Sequence, residues 1–230
     1  MKSFSILICV VLFSCHFSVA QSDCSTYYPL VDGIAFQYTN YDKKGKEDGK
    51  INYSVSNVRN EHGATTATML MEMVDKKGNT YNSDYDISCK GDVVSIDFKS
   101  LMNEQMLSQM GDMEMDISGT DIELPNSLTV GQELPDANIS IKMKMGGGMN
   151  MNTNIDTVNR KVEKKESVTT PAGTFDCYVI YSETQTKMMM ANQTFPSRTW
   201  IAEGVGMVKQ ESYNKSGKLM GSSLLTEFKK

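Results

Sequence analysis

A six-residue turn recurs three times in this chain and limits it to hairpins before anything else is read. Tyr41-Asp42-Lys43-Lys44-Gly45-Lys46, Val74-Asp75-Lys76-Lys77-Gly78-Asn79 and Tyr213-Asn214-Lys215-Ser216-Gly217-Lys218 share one layout: Asp or Asn second, Gly fifth. The Asp or Asn side chain opens a type I turn, and Gly takes the positive φ that returns the chain. The flanking residues alternate with period two. Ile34, Phe36 and Tyr38 share one strand face, Ile51, Tyr53 and Val55 another, Ala67, Met69, Met71 and Met73 a third, and Tyr81, Tyr85, Ile87 and Cys89 a fourth. Unequal strand lengths between the copies of the turn argue against a solenoid or propeller.

The longest strand signal follows the Thr170-Pro171-Ala172-Gly173 turn. Phe175, Cys177, Val179 and Tyr181 are apolar on one parity and Tyr178 and Ile180 on the other, as in a strand covered on both faces. A second strand ends near Trp200 and Ile201, and the Gly204-Val205-Gly206 corner starts a third. Gly173, Phe175, Cys177, Trp200, Gly204 and Gly206 are thus the expected structural residues of this region. One short helix is expected where Leu101, Met102, Met106, Leu107 and Met110 fall on one face. The fold class is therefore all-β and mainly antiparallel: ten to twelve strands in a β-roll or open barrel-like curved sheet around that helix.

Residues 1–20 read as a signal peptide: Lys2, then an apolar run from Ile6 to Phe13, then Ser18-Val19-Ala20 at the cleavage position. Lipidation at Cys15 is the alternative, with the bulky Phe13 against it. No later segment has the ~20 apolar residues of a membrane span, so residues 21–230 are expected to form a single exported domain, periplasmic or extracellular. Net charge is −5, and no basic cluster large enough to follow phosphates is seen, which argues against nucleic acid as a partner. Cys24, Cys89 and Cys177 remain after the leader. Cys24 and Cys89 are the disulfide candidates and Cys177 the buried free thiol, although sequence leaves the other pairings open.

Four stretches taken together resemble a known family. They are Cys24…Tyr27-Tyr28-Pro29-Leu30…Gly33, the first Asp-Lys-Lys-Gly turn, Thr170 to Cys177, and Trp200…Gly204-Val205-Gly206-Met207-Val208-Lys209. They resemble the TapB-like (domain-of-unknown-function 3108-like) exported β proteins of Gram-negative bacteria, across nearly the whole mature chain. The resemblance implies a β-roll like those of lipoprotein-carrier open barrels and brings no catalytic or binding residues with it.

Neither catalytic nor cofactor-binding residues are expected. His62 is the one His after the leader and falls in a turn, so a nucleophilic triad lacks its base and zinc its paired ligands. Asp84 with Asp86, or Asp112, Glu114 and Asp116, place carboxylates on one strand face, where a solvated stripe is the simpler reading than a glycosidase pair. Asp112 to Glu123 spaces oxygen ligands as a calcium loop does, yet Ile117 stands where the loop needs Gly, so a polar strand and loop is preferred.

Methionine is the compositional anomaly, with 18 residues, clustered on strand faces. Packing is the plain account. A Met-rich face also suits an adaptable pocket, so the leading functional expectation is a non-enzymatic envelope protein that holds a hydrophobic small molecule or lipid. The alternatives are copper(I) on Met143, Met145, Met149 and Met151, brought together by Gly146-Gly147-Gly148, and a purely structural envelope component.

Overall fold

In the computed structural model, which describes residues 24–97, 114–145, 149–188 and 191–230, all thirteen strands join one sheet. The expected leader with Cys15, the helix expected from Leu101 to Met110, Asp112 and the turn expected at Gly146-Gly147-Gly148 lie outside those residues.

The three repeated turns form as their residues dictate. Asp42 Oδ1 accepts from the backbone N–H of Lys44 at 2.8 Å and of Lys46 at 2.9 Å. Asp75 accepts in the same way from Lys77 and Asn79, and Asn214 from Ser216 and Lys218. Gly45, Gly78 and Gly217 hold φ of 76°, 85° and 75°. Backbone donors hold the Asp42 carboxyl below the usual range, as the Asn79 side chain and backbone do for Asp75.

The first five strands are β1 (Ala35–Asp42), β2 (Glu47–Glu61), β3 (Ala64–Asp75), β4 (Thr80–Lys90) and β5 (Val93–Ile96). Next come β6 (Glu114–Gly119), β7 (Ile122–Pro125), β8 (Ala137–Met145) and β9 (Met149–Thr170). The last four are β10 (Gly173–Met188), β11 (Ala191–Ala202), β12 (Gly206–Tyr213) and β13 (Leu219–Lys229). Across the sheet the order is β6-β8-β9-β10-β11-β12-β13-β1-β2-β3-β4-β5-β7, with antiparallel neighbours throughout. The hairpins β12–β13, β1–β2 and β3–β4 are therefore adjacent, and their three matching turns sit at one end.

The two edge strands of this order, β6 and β7, are consecutive in the chain and separated only by Thr120 and Asp121. A sheet whose edges are tied that closely has to curl so that they approach each other at that corner. Gly119 makes the junction possible: its φ is 151°, and a Cβ there would lie 2.0 Å from the carbonyl oxygen of Asn138. The same oxygen accepts from Thr120 N–H at 2.9 Å.

Sequence reading differs from the structure in strand count and in one boundary. β7 is a four-residue edge strand paired with β5 through Val93 opposite Pro125 and Ile96 opposite Ile122. Its pairing is long-range and its Pro sits at an edge, where no ladder N–H is needed. Alternation in the sequence breaks between Ile155 and Val158, suggesting two strands there, yet Met149–Thr170 is one strand, β9, interrupted by bulges rather than by a turn.

The N-terminal segment crosses from β4 to the corner between β11 and β12. Cys24 is disulfide-bonded to Cys89, Thr26 O accepts from Gly204 N–H at 2.9 Å, and Asn126 brackets the segment through Cys24 O and Thr26 N. Tyr27 is buried, its ring edge-on to Tyr178. Behind it, Val94, Ile87, Val162, Val208 and Leu225 belong to one continuous core.

Candidate functional site

Inside the roll the two halves of the sheet do not fully meet. They leave a half-open cavity of about 560 Å³, with the exposed Asn138 in its lining, within the ~300–1,000 Å³ of typical small-molecule sites. One wall is aromatic: Tyr53 stands edge-on to both Tyr38 and Tyr85, and Tyr28 and Phe36 complete it. The facing wall is aliphatic and hydroxylic, with Ile155, Ile180 and Ile201 beside Thr157, Ser182 and Thr199. Ser182 and Ser197, opposite one another on β10 and β11, share a hydrogen bond of 2.9 Å.

Burial raises the phenols of this wall: Tyr28 to about 12, Tyr38 and Tyr85 well above their ordinary value, and Tyr53 in the same direction. They stay protonated at neutral pH. Tyr38 donates to Met207 O at 2.7 Å.

Among the described residues, Arg160 is the one charged side chain lining the cavity. A β-bulge puts it there. Tyr181 lies opposite Lys161 and Glu183 opposite Val158, so Asn159 and Arg160 together face Ser182. Asn159 takes a φ of 54°, uncommon for a residue with a side chain. The extra residue shifts the parity of β9: Thr153, Ile155 and Thr157 point to one face before it, and Arg160 and Val162 continue that face after it. The guanidinium donates to Pro135 O and to Glu123 O, the latter at 2.8 Å, and desolvation lowers its pKa.

A groove of about 590 Å³ on the outer face is a poorer candidate, because Glu72, Asp84, Glu227 and Lys229 line it. It carries a hydrogen-bonded ladder from Gln37 through Asn52 to Glu72.

The sequence-predicted structural residues stand around the cavity rather than in it. Cys177, Val179 and Trp200 share the sheet face opposite Ile180 and Ser182, which explains apolar residues on both parities. Burial pushes the free Cys177 thiol up to about 11, so it behaves as a small apolar residue. Trp200 Nε1 donates to Glu166 at 2.7 Å, and Lys209 lies 4.4 Å over its ring. Gly173 has a φ of 141° and faces the Phe175 ring. Gly206, at φ 84°, leaves room for Tyr28, whose ring would be 2.8 Å from a Cβ there. Gly204 forms the corner, with a φ of 67°.

His62 is exposed in the β2–β3 turn at φ 51°. Asp86 is paired with Arg59 at 2.8 Å. Glu114 and Asp116 lie on an edge strand that runs through Ile117 and ends at Gly119, so the described part of the calcium-loop spacing, residues 114–123, is a strand and corner. No group of three His, Cys, Asp or Glu suited to a metal ion occurs among the described residues. The β8–β9 register sets Met143 opposite Met151 and Met145 opposite Met149. Of the expected Met faces, Met69 reaches the cavity, where Met207 of β12 joins it in a lining that is otherwise chiefly Tyr and Ile.

Sequence reasoning passed over Arg160. The signal was the parity change between Ile155 and Val162, which reveals an inserted residue and puts Arg160 on the apolar side.

The architecture defines the class as an all-β roll with an internal, largely apolar cavity. Residues 31–225 match the DUF3108-like family, and the chain belongs to it. It is also similar to two solved structures. One, from Bacteroides fragilis, is described as a candidate exported protein with a YmcC-like fold, at 20% identity and a TM-score of 0.70 over 90% of this chain and 100% of that one. The other is a candidate lipoprotein from Parabacteroides distasonis, at 24% identity and a TM-score of 0.71 over the same shares. Among curated proteins, none matches the chain.

Proposed function

We propose that this is an exported envelope protein, periplasmic or extracellular, that holds a hydrophobic ligand in the roll without transforming it. The observation that carries this reading is the 560 Å³ interior cavity with its aromatic and aliphatic walls. A sheet rolled only for stability would fill such a space with its own side chains, since interiors are close-packed. The lining supplies apolar surface, hydroxyls, two amides and one guanidinium, a set suited to holding a ligand. The solved structures of like fold, described as exported protein and lipoprotein, support the location.

Ser182→Phe and Thr199→Phe test the reading together. Each inserts a ring into the cavity at a position not fully buried. The wild type is expected to enhance the emission of an apolar fluorescent probe, and the double variant to lose that enhancement while unfolding as cooperatively as the wild type. Undiminished probe binding by a folded double variant contradicts the reading.

A further inference from the structure

The guanidinium of Arg160 is the feature of the cavity that hydrophobic packing does not explain. It is 6% exposed in a chain of net charge −5, yet it forms no ion pair with a carboxylate among the described residues. Its nearest acids, Asp136 and Glu123, are exposed and contribute only through space. Two of its five N–H groups donate to backbone carbonyls, and the other three have no protein acceptor among the described residues. Burying such a cation is costly unless an anion meets it. The bulge at Asn159 brings Arg160 onto the inward face that Ile155 and Thr157 occupy before it, and the Tyr28 hydroxyl lies within its electrostatic reach.

We propose that the cavity takes a single-chain amphiphile with an anionic head, its carboxylate or phosphate held by Arg160 and its chain laid along Ile155, Ile180 and Ile201. This rests on the hydrophobic-ligand reading and names the ligand class for it. Size favours one chain: at ~30 Å³ per water-sized group, the cavity holds roughly nineteen such groups, enough for one acyl chain with its head. A planar fork of donors is also the side chain suited to paired oxygens.

The test measures binding of three probes to the wild type: a long-chain fatty acid, an alkyl phosphate and the fatty alcohol of equal length. The two anions are expected to bind on the order of tenfold or more tighter than the alcohol, and Arg160→Gln to erase the difference while still binding the alcohol. The tighter anion identifies the head group. Equal binding of acid, phosphate and alcohol overturns the anionic-head proposal and leaves the hydrophobic-ligand reading intact; failure of all three to bind overturns both. Should Arg160→Gln not fold, guanidinium resonances of the wild type replace it. A shift with the acid and none with the alcohol supports the contact, and no shift with either anion refutes it.

Discussion

Replacing Gly119 by Ala should do more damage than any other single methyl added at the described glycines, because the two edge strands join at that residue with backbone directly against it. Three effects coincide. The positive φ of 151° strains a residue with a Cβ, by ~1–3 kcal/mol. The added carbon would lie 2.0 Å from Asn138 O, and backbone cannot swing aside as a side-chain tip can, so overpacking contributes ~1–3 kcal/mol. Moving Asn138 O also disturbs its 2.9 Å bond from Thr120 N–H, worth ~0.5–1.5 kcal/mol. The total, ~2.5–7.5 kcal/mol, is a large share of the ~5–15 kcal/mol that holds a domain folded. Gly33→Ala is the control: its φ is 87° and nothing lies within 4 Å of the added carbon, so it should lose only ~1–2 kcal/mol. Urea unfolding followed by circular dichroism measures both. A Gly119→Ala protein within ~1 kcal/mol of the Gly33→Ala control would refute the account of the corner that joins the two edge strands.

Two further outcomes follow from the same structure. Cys24→Ser with Cys89→Ser opens a loop closed over 65 residues and should cost ~4 kcal/mol, or about 10 °C in thermal midpoint; an unchanged calorimetric midpoint would contradict it. Tyr27 and Tyr28 are raised to about 12 by burial, and Tyr38 and Tyr85 lie well above the ordinary 10.0. The fold therefore favours the protonated phenols, a contribution complete below pH 10.0 and lost as pH rises towards 12. Phenolate absorbance from these residues should appear only with unfolding, and four phenols ionising near pH 10.0 in the folded protein would refute their burial.

Local chemistry was legible and long-range pairing was not. Asp42, Asp75 and Asn214 announce their turns because each side chain bonds to backbone only two and four residues away. The strand at Ile122–Pro125 depends on β5, more than twenty residues back, and carries a Pro, so nothing local marks it. Nothing local marks Gly119, because its task, passing under Asn138 O, depends on a strand that follows it in the chain. Period two puts Met69, Met71 and Met73 on one parity of β3, yet of these three Met69 alone lines the cavity. One inserted residue at Asn159 reverses a whole strand's parity and brings Arg160 inside.

The central claim is that the interior of the roll is a binding space. Native mass spectrometry of the mature protein, purified without detergent from the envelope of the cells that make it, tests that most directly. The account predicts the polypeptide mass, less the leader and two hydrogens for one disulfide, plus the mass of one anionic single-chain lipid that dissociates on activation. A bare polypeptide, or one carrying copper in place of a lipid, would contradict it.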